Sequence, residues 1–156
     1  MSSCRLRASC LIVVLPLIVV STRAQAATWF VDADAPGPTD GLSWATAFTH
    51  PQDALAAAGA TDTIRVARGT YMPDGARLGD GGYVAGSGDR DATFQLINGV
   101  ILEGGYVGFG GVDPDLRDIA GQPTLLSGDL DNDDAAFTTP ADLLTESTRN
   151  ENSRHV

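Results

Sequence analysis

The sequence predicts an all-β fold, a parallel β-helix entered through a short capping helix and represented by its first coils. The first observation is the stretch Asp62-Thr63-Ile64-Arg65-Val66-Ala67-Arg68-Gly69-Thr70-Tyr71, a β-branched strand closed by a Gly-Thr-Tyr corner. The second is that this stretch is echoed twice, at 92–106, which closes on Gly104-Gly105-Tyr106, and at 122–129, which closes on Gly128. In each, a few apolar or alternating residues stop at glycine, a pattern that suits strands turning corners rather than long hairpins. The third is a single short helix placed ahead of the coils, where an open apolar end needs a cover.

The chain of 156 residues is long enough for one domain, but residues 1–26 stand apart from it. Arg5 and Arg7 precede the apolar run 11–20, and Ala24-Gln25-Ala26 follows as a small-x-small cleavage site before Ala27. This is the three-part layout of a secretory signal peptide. The run falls well short of the roughly 20 residues a bilayer-spanning helix requires, so no membrane insertion is expected after cleavage. Cys10 lies before the run rather than after it, which argues against lipoprotein-type cleavage. Both cysteines, Cys4 and Cys10, fall inside the leader, so the mature chain draws no stability from disulfides.

All ten basic residues are arginine, against 20 acids, for a formal charge of −10. Losing the leader removes Arg5, Arg7 and Arg23 and no acid, which makes it −13. Such a surface disfavours nucleic acid and anionic lipid and favours solubility and divalent cations.

In chain order, Thr28-Trp29-Phe30-Val31-Asp32 reads as the first strand, ended by the turn-rich segment 33–41 with Pro36 and Pro38. Asp32, Asp34 and Asp40 stand around that turn as a candidate ion group, although Asp is common in turns. Thr49 and Gln52 have capping-box spacing, Pro51 suits a first turn and Gly59 a C-terminal stop, so 52–58 is expected to be the helix. Its Ala54, Leu55 and Ala58 form an apolar stripe that Trp44 and Phe48 are near enough to join. After the rung ending at Tyr71, the glycine-rich segment 72–90 is expected to be an extruded loop, and 106–118 a second one.

Chemistry-bearing patterns are sparse. Gly108-Phe109-Gly110 begins like a dinucleotide fingerprint, but position 113 is Asp and no strand-to-helix transition follows. His50 and His155 have no partners at triad or zinc spacing. Glu103 with Asp115 is a carboxylate pair of the type glycoside cleavage uses, with a separation that sequence alone does not fix. The richest constellation is Asp129-Leu130-Asp131-Asn132-Asp133-Asp134, oxygen-bearing side chains on an irregular turn of the kind Ca²⁺ takes. It is not an EF-hand, since its glycine position holds Asp134 and Pro140 stands at the twelfth place. Asp129, Asp131 and Asp133 are the candidate calcium ligands, and a solvent-facing acidic turn is the competing explanation. No cofactor other than calcium is indicated.

Together, Trp29-Phe30-Val31-Asp32, Asp40-Gly41-Leu42-Ser43-Trp44-Ala45-Thr46-Ala47-Phe48, Gln52-Asp53-Ala54-Leu55, the 62–71 rung, Gly104-Gly105-Tyr106 and Leu126-Ser127-Gly128-Asp129 carry a resemblance. The chain resembles the N-terminal part of secreted bacterial right-handed parallel β-helix proteins, the pectate-lyase-like superfamily in its broad sense. The likeness covers most of 28–133, and Asn152-Ser153-Arg154-His155-Val156 resembles the start of another rung. It implies a leader at 1–26, a cap and first coils at 27–134, and a polar loop at 135–156 leading to a further coil. In the superfamily's polysaccharide lyases the calcium-binding acids and the catalytic basic residue lie on later coils, so no catalytic residue carries over. The chain is therefore expected to be the front end of a longer, secreted or cell-surface protein. Its expected role is a non-enzymatic adhesion scaffold meeting a polysaccharide or a cell-surface protein. The alternative is the N-terminal part of a polysaccharide lyase or glycoside hydrolase.

Overall fold

The computed structural model describes residues 25–37, 39–77, 83–85, 88–131, 133–136, 139, 141 and 147–154, with backbone only for 75–77 and 83–85. Nearly all of the leader, most of the segment 137–146 and His155 lie outside the described residues.

Short strands dominate, and they pair in parallel. β1 (Thr28–Val31), β2 (Thr63–Ala67), β3 (Gly69–Tyr71), β4 (Gly75–Arg77), β5 (Tyr83–Ala85), β6 (Ile101–Tyr106) and β7 (Thr124–Leu126) follow one another along the chain. In the first sheet β2 lies between β1 and β6, with Thr28 opposite Thr63 and Thr63 opposite Ile101. A second ladder pairs β3 with β7, again in parallel, Gly69 opposite Thr124. The chain therefore runs through one ladder, turns at Arg68, enters the other, and repeats the passage from β6 to β7. Of the two echoes seen in the sequence, 92–106 supplies β6 and 122–129 supplies β7, so together they make one repeat of the β2–β3 passage rather than a rung each, and regular pairing in the first begins only at Ile101.

Period-2 burial explains the inner face. Ile64 and Val66 of β2 are fully buried, and the intervening Arg65 faces outward. They meet Val31 from β1, Tyr71 from β3, Phe94, and Ala54 and Leu55 from the single α-helix, α1 (Pro51–Ala57). Burying a side chain such as Leu55 or Ile64 contributes about 1.5–3 kcal/mol. α1 starts one residue before the expected position, and its capping differs. His50 occupies the N-cap and makes no side-chain cap bond. Gln52 instead donates from Nε2 to the carbonyls of Met72 and Pro73, at 2.8 and 2.6 Å, because the chain leaving β3 passes over the helix start.

The cover of the front edge is shared between two elements. Residues 41–48 run along the free side of β1, where Phe30 N–H donates to the Gly41 carbonyl, and Phe48 N–H and Asp32 N–H complete the set through Phe30 and Phe48 carbonyls. α1 closes the apolar end beneath. At the opposite edge Leu125 and Leu126 of β7 stay largely exposed.

Two segments expected as loops have more order than their composition suggests. Within 72–90, β4 and β5 form an antiparallel hairpin. Three-residue strands inside a glycine-rich segment carry too little alternation to be recognised. Segment 107–118 folds back as an antiparallel return, with Arg117 bridging Tyr106 and Val107 N–H donating to the Leu116 carbonyl. Gly104 permits the close approach of the two ladders: a Cβ there would lie 2.7 Å from the Thr124 Cβ. Thr124 Oγ1 occupies that space, accepting from Gly105 N–H at 2.9 Å and donating to the Ala67 carbonyl at 3.0 Å.

Asp62 ties the start of the coil together. Its carboxylate accepts from Ala27 N–H and Gly59 N–H, both at 2.8 Å, and from Trp29 Nε1 at 3.1 Å. These bonds, led by that of Gly59, hold its pKa below the ordinary value of 3.8. A depressed carboxylate stabilises the fold above its unfolded pKa and loses that effect as pH falls. Thermal melts on an acid series should therefore show stability falling below about pH 4 in the native chain, with a shallower acid limb in Asp62→Ala. Parallel acid limbs in the two proteins would show that Asp62 is not responsible.

Candidate functional site

The outward face of the first sheet gathers a cluster of polar and aromatic side chains. In parallel register Phe30, Arg65 and Glu103 stand in a row across β1, β2 and β6. Trp44 is placed beside them by a 3₁₀ turn, Trp44–Thr46, whose N-cap Ser43 accepts from Thr46 N–H. Its ring packs edge-on to Phe30, with centroids 4.8 Å apart, and lies 5.6 Å from Tyr106.

The return segment 107–118 completes the group from above. It delivers Asp115, whose Oδ1 accepts from Trp44 Nε1 and Arg65 Nη1, each at 3.1 Å. Arg117 donates from Nε to the Gly104 carbonyl at 2.8 Å. Two guanidinium groups approach the Tyr106 ring, Arg65 at 5.4 Å and Arg117 at 5.8 Å from the centroid, within cation–π range. The Tyr106 hydroxyl donates to Glu103 Oε2 at 2.8 Å. Burial and that bond to Glu103 push the phenol's pKa above its usual value, so Tyr106 holds its proton and does not serve as a base at neutral pH.

A buried carboxylate locks the return segment to the sheet. Asp32 is 2 % exposed and accepts from Phe109 N–H at 2.6 Å and Asp34 N–H at 2.9 Å. Burial raises its pKa, opposed by those two backbone bonds and by Arg68. Gly108 adopts a positive φ of 81° there, and a Cβ would collide with Asp32 Oδ2. Gly108 of the apparent dinucleotide fingerprint thus serves a tight backbone approach, while Gly110, at a φ of 80°, turns in open space, and no helix follows them.

The candidate calcium ligands are partly brought together. Asp129 and Asp133 place carboxylate oxygens within 4.8 Å of each other and of Glu151. Asp131 is exposed and lies outside this group. Glu151 was not identified from sequence because residues 147–154 reach the acidic turn by tertiary contact. Ser153 N–H donates to the Gly128 carbonyl at 2.7 Å, and Arg154 N–H to that of Arg90 at 2.9 Å. Glu151 Oε1 is buried without a hydrogen-bond partner. An all-oxygen set with an orphaned carboxylate oxygen fits a hard cation.

The remaining candidates separate. Asp32 is committed to the return segment, and Asp40 caps the Leu42 N–H. His50 lies 3.7 Å from Asp53 and contacts Thr49. Glu103 and Asp115 do share one face, each already engaged by Tyr106 or by Trp44 and Arg65. Among the described residues no helix is long and apolar enough to cross a membrane. No family model matches the chain, and no curated protein or solved structure does either.

Asp115 serves two donors, one of them on the buried Trp44. Asp115→Ala should therefore cost roughly 1–2 kcal/mol, more than the 0.2–1 kcal/mol typical of an exposed ion pair. A double-mutant cycle with Arg65→Ala separates the parts. A coupling equal to the whole loss would show that the indole bond contributes nothing.

Proposed function

We propose that this chain forms the front of a right-handed parallel β-helix that is exported and serves as a calcium-stabilised, non-enzymatic scaffold for a neutral polysaccharide. The observation that carries the reading is the parallel register of Phe30, Arg65 and Glu103, roofed by the return segment and flanked by Trp44 and Tyr106. Stacked coils place side chains in lines along a flat outer face, and such lines suit an extended polymer. The acidic surface disfavours polyanions, which directs the choice to uncharged glycans.

The polysaccharide lyase or hydrolase alternative draws support from the same face, since it holds two arginines, Arg65 and Arg117, and two carboxylates. Each of those groups is already hydrogen-bonded within the chain, and Tyr106, its pKa raised, keeps its proton at neutral pH. Those features favour binding over catalysis. Asp129, Asp133 and Glu151 would hold the calcium and fasten the return of residues 147–154 to the coil.

Retention on immobilised neutral polysaccharides tests the scaffold. The full chain should bind without releasing new reducing or unsaturated ends, and Arg117→Ala should weaken retention about tenfold, equivalent to roughly 1.4 kcal/mol. Product release would establish the enzymatic alternative, and absence of retention on every glycan would reject both.

For the cation, calcium at 100 times its dissociation constant should stabilise the fold by about 2.7 kcal/mol. Glu151→Gln and Asp129→Asn should remove most of this gain, and Asp131→Asn should leave it nearly intact. Identical melting with millimolar calcium and with chelator would leave an ordinary acidic turn.

A further inference from the structure

A cleft of about 460 Å³ opens between α1 and the irregular segment 93–97, away from the outward face of the first sheet. Leu55, Ala56, Leu96 and Ile97 make its aliphatic walls, and Gln52, Thr93 and Gln95 supply its polar groups. Neither wall is free to collapse onto the other. α1 is anchored through buried Ala54 and Leu55, and segment 93–97 through Phe94, which belongs to the same core cluster. Leu96 meanwhile remains 68 % exposed at the rim.

Two features give the cleft a chemical preference. None of its lining residues is charged, in a chain whose formal charge is −10. Gln52 is also fixed in one orientation, because Nε2 donates to both the Met72 and Pro73 carbonyls and a flipped amide would set oxygen against oxygen. Its Oε1 is left buried with no hydrogen-bond partner, an arrangement that normally costs about 1–3 kcal/mol. Among the described residues nothing satisfies this acceptor, which belongs to a side chain that lines the cleft.

We infer that this cleft is a binding site for a neutral, largely apolar small molecule carrying one N–H or O–H donor. Its volume lies in the range of small-molecule sites, about 300–1,000 Å³, and apolar walls with a few placed polar groups are their usual construction. The aliphatic walls take the apolar body, and the donor answers Gln52. An anionic ligand finds no cation in the lining to offset the loss of its hydration.

N-Phenyl-1-naphthylamine, which is neutral and has one N–H, and its sulfonated analogue 1-anilinonaphthalene-8-sulfonate form a matched pair of fluorescent probes. Titrated into the full chain, the neutral probe should bind saturably at one site and at least tenfold more tightly than the sulfonate. Ala56→Trp, which fills the cleft from the exposed side of α1, and Leu96→Asp, which charges its rim, should each lower the affinity at least tenfold. Circular dichroism should show both variants folded. Leu42→Asp, an exposed apolar position outside the lining, should bind like the native chain. Equal affinity for the two probes, unchanged binding in folded Ala56→Trp and Leu96→Asp, or no saturable binding would overturn the proposal. If a variant unfolds, saturable displacement of the neutral probe from the native chain by 1-octanol supports it, and failure of displacement overturns it.

Discussion

Parallel pairing of β2 with both β1 and β6 is the constraint from which the rest of the structure follows. Antiparallel neighbours can be joined by a two-residue turn, but parallel neighbours require the chain to travel back across the molecule before each new strand. Every connection in this fold must therefore be stored somewhere. α1 lies on the way from β1 to β2, the β4–β5 hairpin on the way from β3 to β6, and the return segment 107–118 between β6 and β7. α1 is anchored by Ala54 and Leu55 in the core, and the β3–β6 connection by Phe94. The return segment is held instead by a few specific polar contacts, and those decide what surface the molecule presents there.

Two aspartates show how different such contacts are electrostatically. Asp62, also buried, surrounds its carboxylate with three donors that outweigh desolvation, so ionisation is favoured and the charge strengthens the junction. Asp32 is enclosed between Ala67, Gly108 and the Phe109 amide, and desolvation outweighs its two backbone bonds. By linkage the junction at Asp32 is strongest below the ordinary carboxylate pKa and weakens as pH rises through its elevated value, opposite in sign to Asp62. The chain accepts that cost where the return segment must be fixed in one place. A neutral side chain would offer one acceptor, and two backbone N–H groups need satisfying there.

Much of the fold was legible because local pattern and tertiary role agree. Ile64 and Val66 alternate with Arg65 and are buried as the period-2 pattern requires, and Pro51, Ala54 and Leu55 mark a helix that forms within a residue of its expected start. The expected capping box fails because His50 rather than Thr49 becomes the N-cap, and Gln52 is oriented instead by its donation to the distant Met72 and Pro73 carbonyls. The site was less legible for the same reason. Asp129 and Asp133 are neighbours in sequence and were found, but Glu151 joins them only because Ser153 and Arg154 hydrogen-bond to Gly128 and Arg90. Asp115 gave no local sign that it would meet Trp44 and Arg65.

The distribution of satisfied and unsatisfied groups then separates support from recognition. On the outward face Arg65, Glu103, Tyr106 and Asp115 engage one another, so their charges are largely spent on fixing the return segment, and a ligand meets a rigid, pre-formed surface. Preorganisation of that kind lowers the ordering cost of binding but leaves few groups free to do chemistry. Among the described residues, buried side-chain atoms without a hydrogen-bond partner include Arg65 Nε on that face, Gln52 Oε1 beside the cleft, and Glu151 Oε1 and Asn152 Oδ1 near the acidic turn. On the two proposals above, Gln52 would take a donor among apolar walls and Glu151 a cation among carboxylates. A buried acceptor without a partner is a standing penalty to folding. At Gln52 and Glu151, each beside residues suited to a complementary ligand, occupancy as proposed would relieve that penalty.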